Sequence, residues 1–148
     1  MLQIGDRMPS FCIENQDGKR ITDQDLLGRP TVIYVYPKDS TPGCTAEACN
    51  LRDNYHSFIA RGYRVYGLSK DTPESHRKFI AKYDLPFPLL SDPTTGLLQA
   101  LGAWGEKKLY GKTSMGTLRK TFVFAADGTL ERIIGKVDTK NHAAQLLD

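Results

Sequence analysis

The sequence predicts an α/β fold in which helices pack on both faces of a central mixed β-sheet. Residues 31–36 form a β-branched and aromatic run without polar alternation, which is typical of a strand buried on both faces. A helical pattern and a second strand-like segment follow, as expected for a parallel β-α-β unit. Farther along, Asp127-Gly128 separates two apolar segments and predicts an antiparallel hairpin. Parallel and antiparallel neighbours together indicate a mixed sheet.

Composition limits the classes of protein to consider. The chain has 148 residues, so we expect a single domain over residues 1–148. Its net charge of +3 is mild and its basic residues are scattered, which predicts no nucleic-acid partner. The sequence has no apolar run of transmembrane length and no signal-peptide pattern at its start, so we expect no membrane association and a cytoplasmic location. Three cysteines, an odd number, argue against a closed disulfide framework.

The first predicted element is an N-terminal β-hairpin extension, in which an Asp-Gly pair joins residues 10–13 to residues 20–21. Cys12 lies in this hairpin, where we expect a small core or edge residue without a function. A short helix capped by Thr22 is predicted next. The buried strand at residues 31–36 then leads into a loop of prolines, glycine and small polar residues.

A long helix is predicted from Cys44 to Arg61, with a glycine after it as the stop signal. Its apolar residues follow helical spacing, and extending that line back one turn reaches Cys44. The Cys44 thiol should therefore face the sheet, whereas Cys49 lies on a different side of the helix. Unpaired backbone N–H groups and the positive end of the helix dipole lie at a helix start, so we expect Cys44 to ionise more readily than a free cysteine.

The second half of the chain begins with a strand at residues 63–69 and a helix from Pro73. A short extended piece at residues 86–90 and a small helix ending at Gly102 follow. Residues 103–117 predict a long irregular loop, a kind of segment that is often functional.

The Asp127-Gly128 hairpin and a last helix from about Thr139 complete the order of elements. Trp104, in the predicted loop, is interpreted as a packing residue that supports the region of Arg119. A β-α-β half followed by a β-β-α half is the plan of the thioredoxin-like fold.

The loop before the long helix carries the most specific motif of the chain. Pro37-x3-Thr41-x2-Cys44 resembles the active-site signature of the peroxiredoxins. The fuller pattern is similar to the bacterioferritin comigratory protein, or peroxiredoxin Q, group: Tyr36-Pro-Lys-Asp-Ser-Thr-Pro-Gly-Cys44-Thr-x2-Ala-Cys49-x-Leu-Arg-Asp53. The resemblance continues at residues 89–92, 104–107 and 119–122, so it covers nearly the whole chain.

The resemblance implies a role for each residue of the candidate site. Cys44 would be the peroxidatic cysteine, and Cys49 matches the resolving cysteine. Arg119 would stabilise the thiolate and polarise the peroxide, while Thr41 and Pro37 would shape the pocket. The residues support this assignment, since the Thr41 hydroxyl can reach a thiolate or a peroxide oxygen from the same loop. Pro37 stiffens the loop and can shield the thiol from solvent.

By the same resemblance, the chain is a thioredoxin-dependent thiol peroxidase of antioxidant defence. It would reduce hydrogen peroxide and organic hydroperoxides through a Cys44 sulfenic acid and an intramolecular Cys44–Cys49 disulfide. Thioredoxin or a glutaredoxin-like dithiol would restore both thiols. The resemblance implies a monomer without a metal or organic cofactor. Its members have a longer last helix, so we expect the natural chain to extend beyond Asp148.

The spacing of Cys44 and Cys49 has a geometric consequence. Five residues apart on an intact helix, their Cα atoms would be about 8.6 Å apart, whereas a disulfide needs about 7 Å or less. We therefore expect the first turns of the helix to unwind when the bond forms. Glu47 lies in the same turns, where a carboxylate is ordinarily stabilising, and it is left outside the predicted site.

Two alternatives to the peroxidase hypothesis stay open. A general thiol–disulfide exchanger could use the same fold, although the chain lacks a Cys-x-x-Cys motif. Peroxide consumption without a disulfide substrate would distinguish the two. A peroxide-sensing or chaperone-like protein could use the cysteine pair to expose apolar surface, and fast multiple turnover with a reductant would make that hypothesis unnecessary. The three histidines are dispersed, which makes a zinc site a weak interpretation.

Overall fold

The computed structural model describes residues 2–148, which fold into a series of helices and strands. In chain order the elements are β1 (Cys12–Asn15), β2 (Arg20–Thr22), a 3₁₀ helix (Asp23–Leu26), β3 (Thr31–Val35), α1 (Pro42–Asp53), α2 (Tyr55–Ala60), β4 (Arg64–Ser69), α3 (Pro73–Tyr83), β5 (Leu89–Ser91), α4 (Gly96–Leu101), β6 (Trp104–Leu109), β7 (Lys112–Thr117), β8 (Lys120–Phe124), β9 (Leu130–Ile134) and α5 (His142–Leu147).

Within this part of the chain, seven strands form one sheet in the order β2-β1-β5-β4-β3-β8-β9. The central strand β3 pairs in parallel with β4 and antiparallel with β8. The N-terminal hairpin β1-β2 and the hairpin β8-β9 are antiparallel, as their Asp-Gly turns predict. The predicted mixed sheet and N-terminal hairpin are therefore confirmed.

Every residue of β3 is buried, because apolar side chains cover both faces of the sheet. Val32 and Tyr34 pack in one cluster with side chains of α1, α2, α3 and α5. Ile33 and Val35 point to the opposite face and pack with Leu26 and the leucines of α4. This alternation is the period of two that strand geometry imposes, and it places helices on both faces as predicted.

The prediction of an irregular loop at residues 103–117 is wrong. The segment folds into the antiparallel two-stranded ribbon β6-β7, which is separate from the main sheet. Tyr110 and Gly111 join the strands with φ angles of 53° and 77°, the left-handed pair that a tight hairpin turn requires. The ribbon lacks the apolar alternation of a half-buried strand, because lysines, glycines and threonines occupy most of its positions.

The single helix predicted from Cys44 to Arg61 is two helices. Helix α1 begins earlier, at Pro42, and the break falls at Asn54. The Asn54 side-chain amide donates 2.9 Å to the Asn50 carbonyl, so it competes with the backbone for an acceptor of the helix.

The boundaries of other elements differ less from the predicted ones. The last helix begins at His142 rather than near Thr139, and the extended piece is strand β5, Leu89–Ser91. Cys12 opens β1 and is exposed, which excludes the core position from the two that the sequence predicts, core or edge. Over residues 2–148, no helix combines the length and apolar character needed to cross a membrane.

Candidate active site

The buried carboxylate of Asp39 anchors the loop between β3 and α1. This carboxylate accepts hydrogen bonds from the Tyr36 hydroxyl at 2.5 Å and the Ser75 hydroxyl at 2.8 Å, and Nδ1 of His76 lies 2.7 Å from it. The Asp39 backbone N–H in turn donates 2.8 Å to the carboxylate of Asp71. The loop that precedes Cys44 is thus fixed to helix α3.

Cys44 is the third residue of α1, and it is 1% exposed. The thiol lies on the buried side of the helix, as the apolar spacing predicts, and it forms no disulfide. Its position in the first turn places it beside backbone N–H groups that have no partner within the helix. An anion at this sulfur is therefore stabilised by the helix start.

Arg119 brings a positive charge to the thiol from the other half of the chain. Its Nη2 donates 3.2 Å to Sγ of Cys44, and its Nη1 donates 2.5 Å to Oε1 of Glu47. Burial works against the guanidinium charge, but Glu47 and Cys44 outweigh it and raise the pKa of Arg119. A methyl group at Gly43 would lie 3.3 Å from Nη2, so the glycine leaves Arg119 room.

Glu47 belongs to this cluster, although sequence reasoning leaves it outside the site. It lies three residues after Cys44, which places both side chains on one face of α1. The side chain is fully buried, and burial raises its pKa to about 7 even though Arg119 lowers it. The spacing from Cys44 is the sequence signal that could have identified it.

Thr41 and Pro37 belong to the segment that joins β3 to α1 and precedes Cys44 in the chain. Thr41 is the N-cap residue of α1, and its hydroxyl donates 2.9 Å to the Lys38 carbonyl. This contact differs from the expected one, because the hydroxyl hydrogen points to the backbone rather than to sulfur. Pro37 is half-buried and lies two residues after the end of strand β3.

Cys49 lies five residues after Cys44 in the same unbroken helix, and its side chain is half-buried. The helix geometry therefore keeps the two Cα atoms about 8.6 Å apart in this dithiol state. Both cysteines are free thiols.

The junction between α4 and β6 supports the segment that carries Arg119. The Leu118 N–H donates 2.8 Å to the Ala103 carbonyl, and the Lys120 ammonium donates 3.1 Å to the Gly102 carbonyl. Trp104 packs on the apolar cluster beside α4, and the Lys70 ammonium lies 5.7 Å from its ring centroid. These contacts agree with the packing role predicted for Trp104.

Residues 2–148 contain no group of three or more histidine, cysteine or acidic side chains placed to hold a metal ion.

Comparison with known proteins agrees with this geometry. Residues 4–133 match the AhpC/TSA family. A putative peroxiredoxin of Mycobacterium tuberculosis is 44% identical over 145 residues, which cover 98% of this chain and 92% of that protein. Peroxiredoxin Bcp of Escherichia coli is 41% identical over 141 residues, covering 95% and 90% of the two chains.

Solved structures show the same fold. The bacterioferritin comigratory protein of Xanthomonas campestris, described for its alkyl peroxide reduction activity, superposes with a TM-score of 0.87 at 35% identity, covering 93% of this chain and 87% of that one. A cysteine-to-serine mutant of PrxQ from Xylella fastidiosa gives a TM-score of 0.92 at 28% identity, covering 99% and 94%.

Fold and site together define a thioredoxin-like thiol peroxidase. The chain belongs to the AhpC/TSA family, in its bacterioferritin comigratory protein, or peroxiredoxin Q, group. The fold and the family that the sequence predicts are thus confirmed.

The buried carboxyl group of Glu47 should make stability depend on pH. Its pKa of about 7 lies above the ordinary value of 4.5, so the folded protein binds this proton more tightly than the unfolded chain. The stabilisation is full below the ordinary value and is lost as the pH rises to about 7. Across this interval, the free energy of unfolding of Glu47→Gln should therefore fall by about 3 kcal/mol less than that of the wild type.

Urea unfolding at the two ends of the interval measures this difference. Asp92→Asn tests the same linkage away from the thiol, because burial also raises the pKa of Asp92, whose carboxylate accepts the Leu98 N–H; it too should depend less on pH than the wild type. Parallel pH profiles of Glu47→Gln and wild type would contradict the prediction.

Proposed function

We propose that Cys44 is the peroxidatic cysteine of this thiol peroxidase and that it reduces hydrogen peroxide and organic hydroperoxides. The observation that carries the proposal is the 3.2 Å hydrogen bond from Arg119 to a buried thiol in the first turn of α1. A thiolate is the nucleophilic form of cysteine, and both the guanidinium and the helix start stabilise its charge. The alkyl peroxide reduction described for the Xanthomonas campestris relative supports organic hydroperoxides as substrates.

In the first step, the Cys44 thiolate attacks one peroxide oxygen and becomes a sulfenic acid, and water or an alcohol leaves. Arg119 is placed to donate to the peroxide as its O–O bond breaks. The Thr41 hydroxyl, which donates to Lys38, keeps its oxygen free to accept a hydrogen bond from the peroxide O–H. Pro37 limits the access of water beside the thiol.

In the second step, the Cys49 thiol condenses with the sulfenic acid, which forms a Cys44–Cys49 disulfide and releases water. Support comes from the half-buried position of Cys49 in the same helix. Because the helical spacing exceeds what a disulfide allows, the N-terminal turns of α1 open in this step.

An external dithiol, thioredoxin or a glutaredoxin-like protein, then reduces the disulfide by exchange. We also propose that residues 1–148 act as one domain, since both apolar clusters pack on the same sheet. An intramolecular disulfide needs no partner subunit, which favours a monomer. Antioxidant defence in the cytoplasm, without a metal or organic cofactor, is the role that fits this cycle.

One equivalent of hydrogen peroxide tests the two-cysteine cycle. Intact mass, free-thiol count and peptide mapping should show the loss of two thiols and a Cys44–Cys49 link within one chain. Cys49→Ser should stop at an oxidised Cys44, and Cys12→Ser should behave as wild type. Oxidation of Cys44 alone in the wild type would remove Cys49 from the mechanism, and no oxidation would remove the proposed role of Cys44.

Disulfide formation should also change the protection of α1. We expect amide hydrogen exchange over residues 44–52 to be faster in the disulfide form than in the dithiol form, because the helical hydrogen bonds there are broken. Helix α3, which carries no cysteine, is the internal reference. Equal exchange over residues 44–52 in the two forms would contradict the unwinding step.

A further inference from the structure

One oxygen of the Glu47 carboxyl group has no hydrogen-bond partner although it is fully buried. Oε1 accepts the hydrogen bond from Arg119, whereas Oε2 has none. The atom that faces Oε2 is Nε2 of His142, at 3.5 Å. Burying a carboxylate oxygen without a hydrogen-bond donor costs free energy. The protonation states of Glu47 and His142 should therefore be ones that avoid this cost.

The hydrogen bonds of His142 identify its tautomer. Its Nδ1 lies 2.7 Å from Oε1 of Gln145, and the same Oε1 accepts a 2.9 Å hydrogen bond from the Asp138 N–H. Because Oε1 is an acceptor, Nδ1 carries the hydrogen. Burial, which is the largest effect, lowers the pKa of His142, so the ring is neutral. Nε2 therefore presents a lone pair, to which the Thr121 hydroxyl donates at 2.7 Å.

An ionised Glu47 would direct a carboxylate oxygen at this lone pair. A proton on Oε2 removes the negative charge that would face this lone pair and leaves a weak second contact at 3.5 Å beside the 2.7 Å hydrogen bond from Thr121. The charges around the pair favour the same state. Arg119 is the cation that faces Glu47, and a Cys44 thiolate already occupies its other nitrogen. Cys49 lies on α1 with Glu47, and Tyr34 lies on the flanking strand β3. Burial, before any effect of neighbouring charges, raises the pKa of Tyr34 and keeps it neutral.

We propose that Glu47 stores a proton on Oε2, facing His142, while Cys44 is a thiolate, and that this proton neutralises the oxygen that leaves when Cys44 is oxidised. The inference rests on the proposed role of Cys44. Glu47 acts through Arg119 and is a positioning and proton-storing residue, because it does not contact sulfur. The carboxylate that remains on Glu47 then pairs with Arg119, because the thiolate has become a neutral sulfenic acid.

The step balances in atoms and charge. The thiolate bonds to the distal peroxide oxygen, the O–O bond breaks, and its electron pair stays on the leaving oxygen as hydroxide or alkoxide. The Glu47 proton completes the water or alcohol. Thiolate, carboxylic acid and hydroperoxide thus become sulfenic acid, carboxylate and alcohol, with one negative charge before and after. The buried cluster keeps the same net charge throughout.

Proton stoichiometry tests the proposal directly. A Cys49→Ser background stops the reaction at the sulfenic acid, and a pH indicator in weakly buffered solution follows proton uptake after one equivalent of hydrogen peroxide. The loss of thiolate absorbance counts the Cys44 groups that react. The pKa of Glu47 is about 7 without a contribution from Cys44, and the negative thiolate raises it further until oxidation removes that charge. At about pH 7.5, with a neutral sulfenic acid, we therefore expect well under half a proton taken from solvent per thiolate oxidised, and about one in Glu47→Gln.

Asp92→Asn in the same background is the control, because it removes a buried carboxyl group outside the site and should behave like its parent. Infrared difference spectra give a second measurement, in which oxidation should remove a protonated carboxylic acid band that Glu47→Gln lacks. Equal proton uptake with and without Glu47, while Cys44 is oxidised, would overturn the proton store and leave the role of Cys44 intact. A Cys44 that is not oxidised at all would instead overturn the proposed function and this inference together.

Discussion

The structure depends on one contact, the hydrogen bond between Arg119 and the thiol of Cys44. The two residues are 75 positions apart in the chain. Strands β3 and β8 bring them together, because Val35 pairs with Lys120 in the antiparallel register. The loop that follows β3 and the residue that precedes β8 therefore emerge at the same edge of the sheet. Any slip in that register would separate the guanidinium from the thiol.

Placing a cation, a thiol and a carboxyl group in one buried cluster is costly unless their charges are balanced. Arg119 can match one negative charge, while Cys44 and Glu47 together could carry two. The neutral His142 and the raised pKa of Glu47 indicate how the cluster avoids the excess charge. On the other side of the loop, Asp39 and His76 fix the backbone, so the thiol is held by two separate polar networks.

Local patterns in the sequence were sufficient to predict the strands of the main sheet, the two Asp-Gly hairpins and the buried face of α1. The motif from Pro37 to Cys44, together with its resemblance to a known group, pointed to the thiol and to Arg119. The roles of Glu47 and His142 depend on contacts between distant segments, which no local pattern reports. The ribbon β6-β7 was missed because its residues are mostly polar, and the break at Asn54 depends on a single side-chain hydrogen bond.

The most direct test of this account is the rate constant for the reaction of Cys44 with hydrogen peroxide in Arg119→Gln. Gln keeps a hydrogen-bond donor but has no charge. Arg7→Gln is the matched control, because it removes an exposed guanidinium that donates to the Asp127 carbonyl outside the site. If the guanidinium stabilises both the thiolate and the developing charge, the rate should fall by about 10²–10³-fold in Arg119→Gln and change little in the control. A folded Arg119→Gln protein that reacts within a few-fold of the wild type would contradict the account.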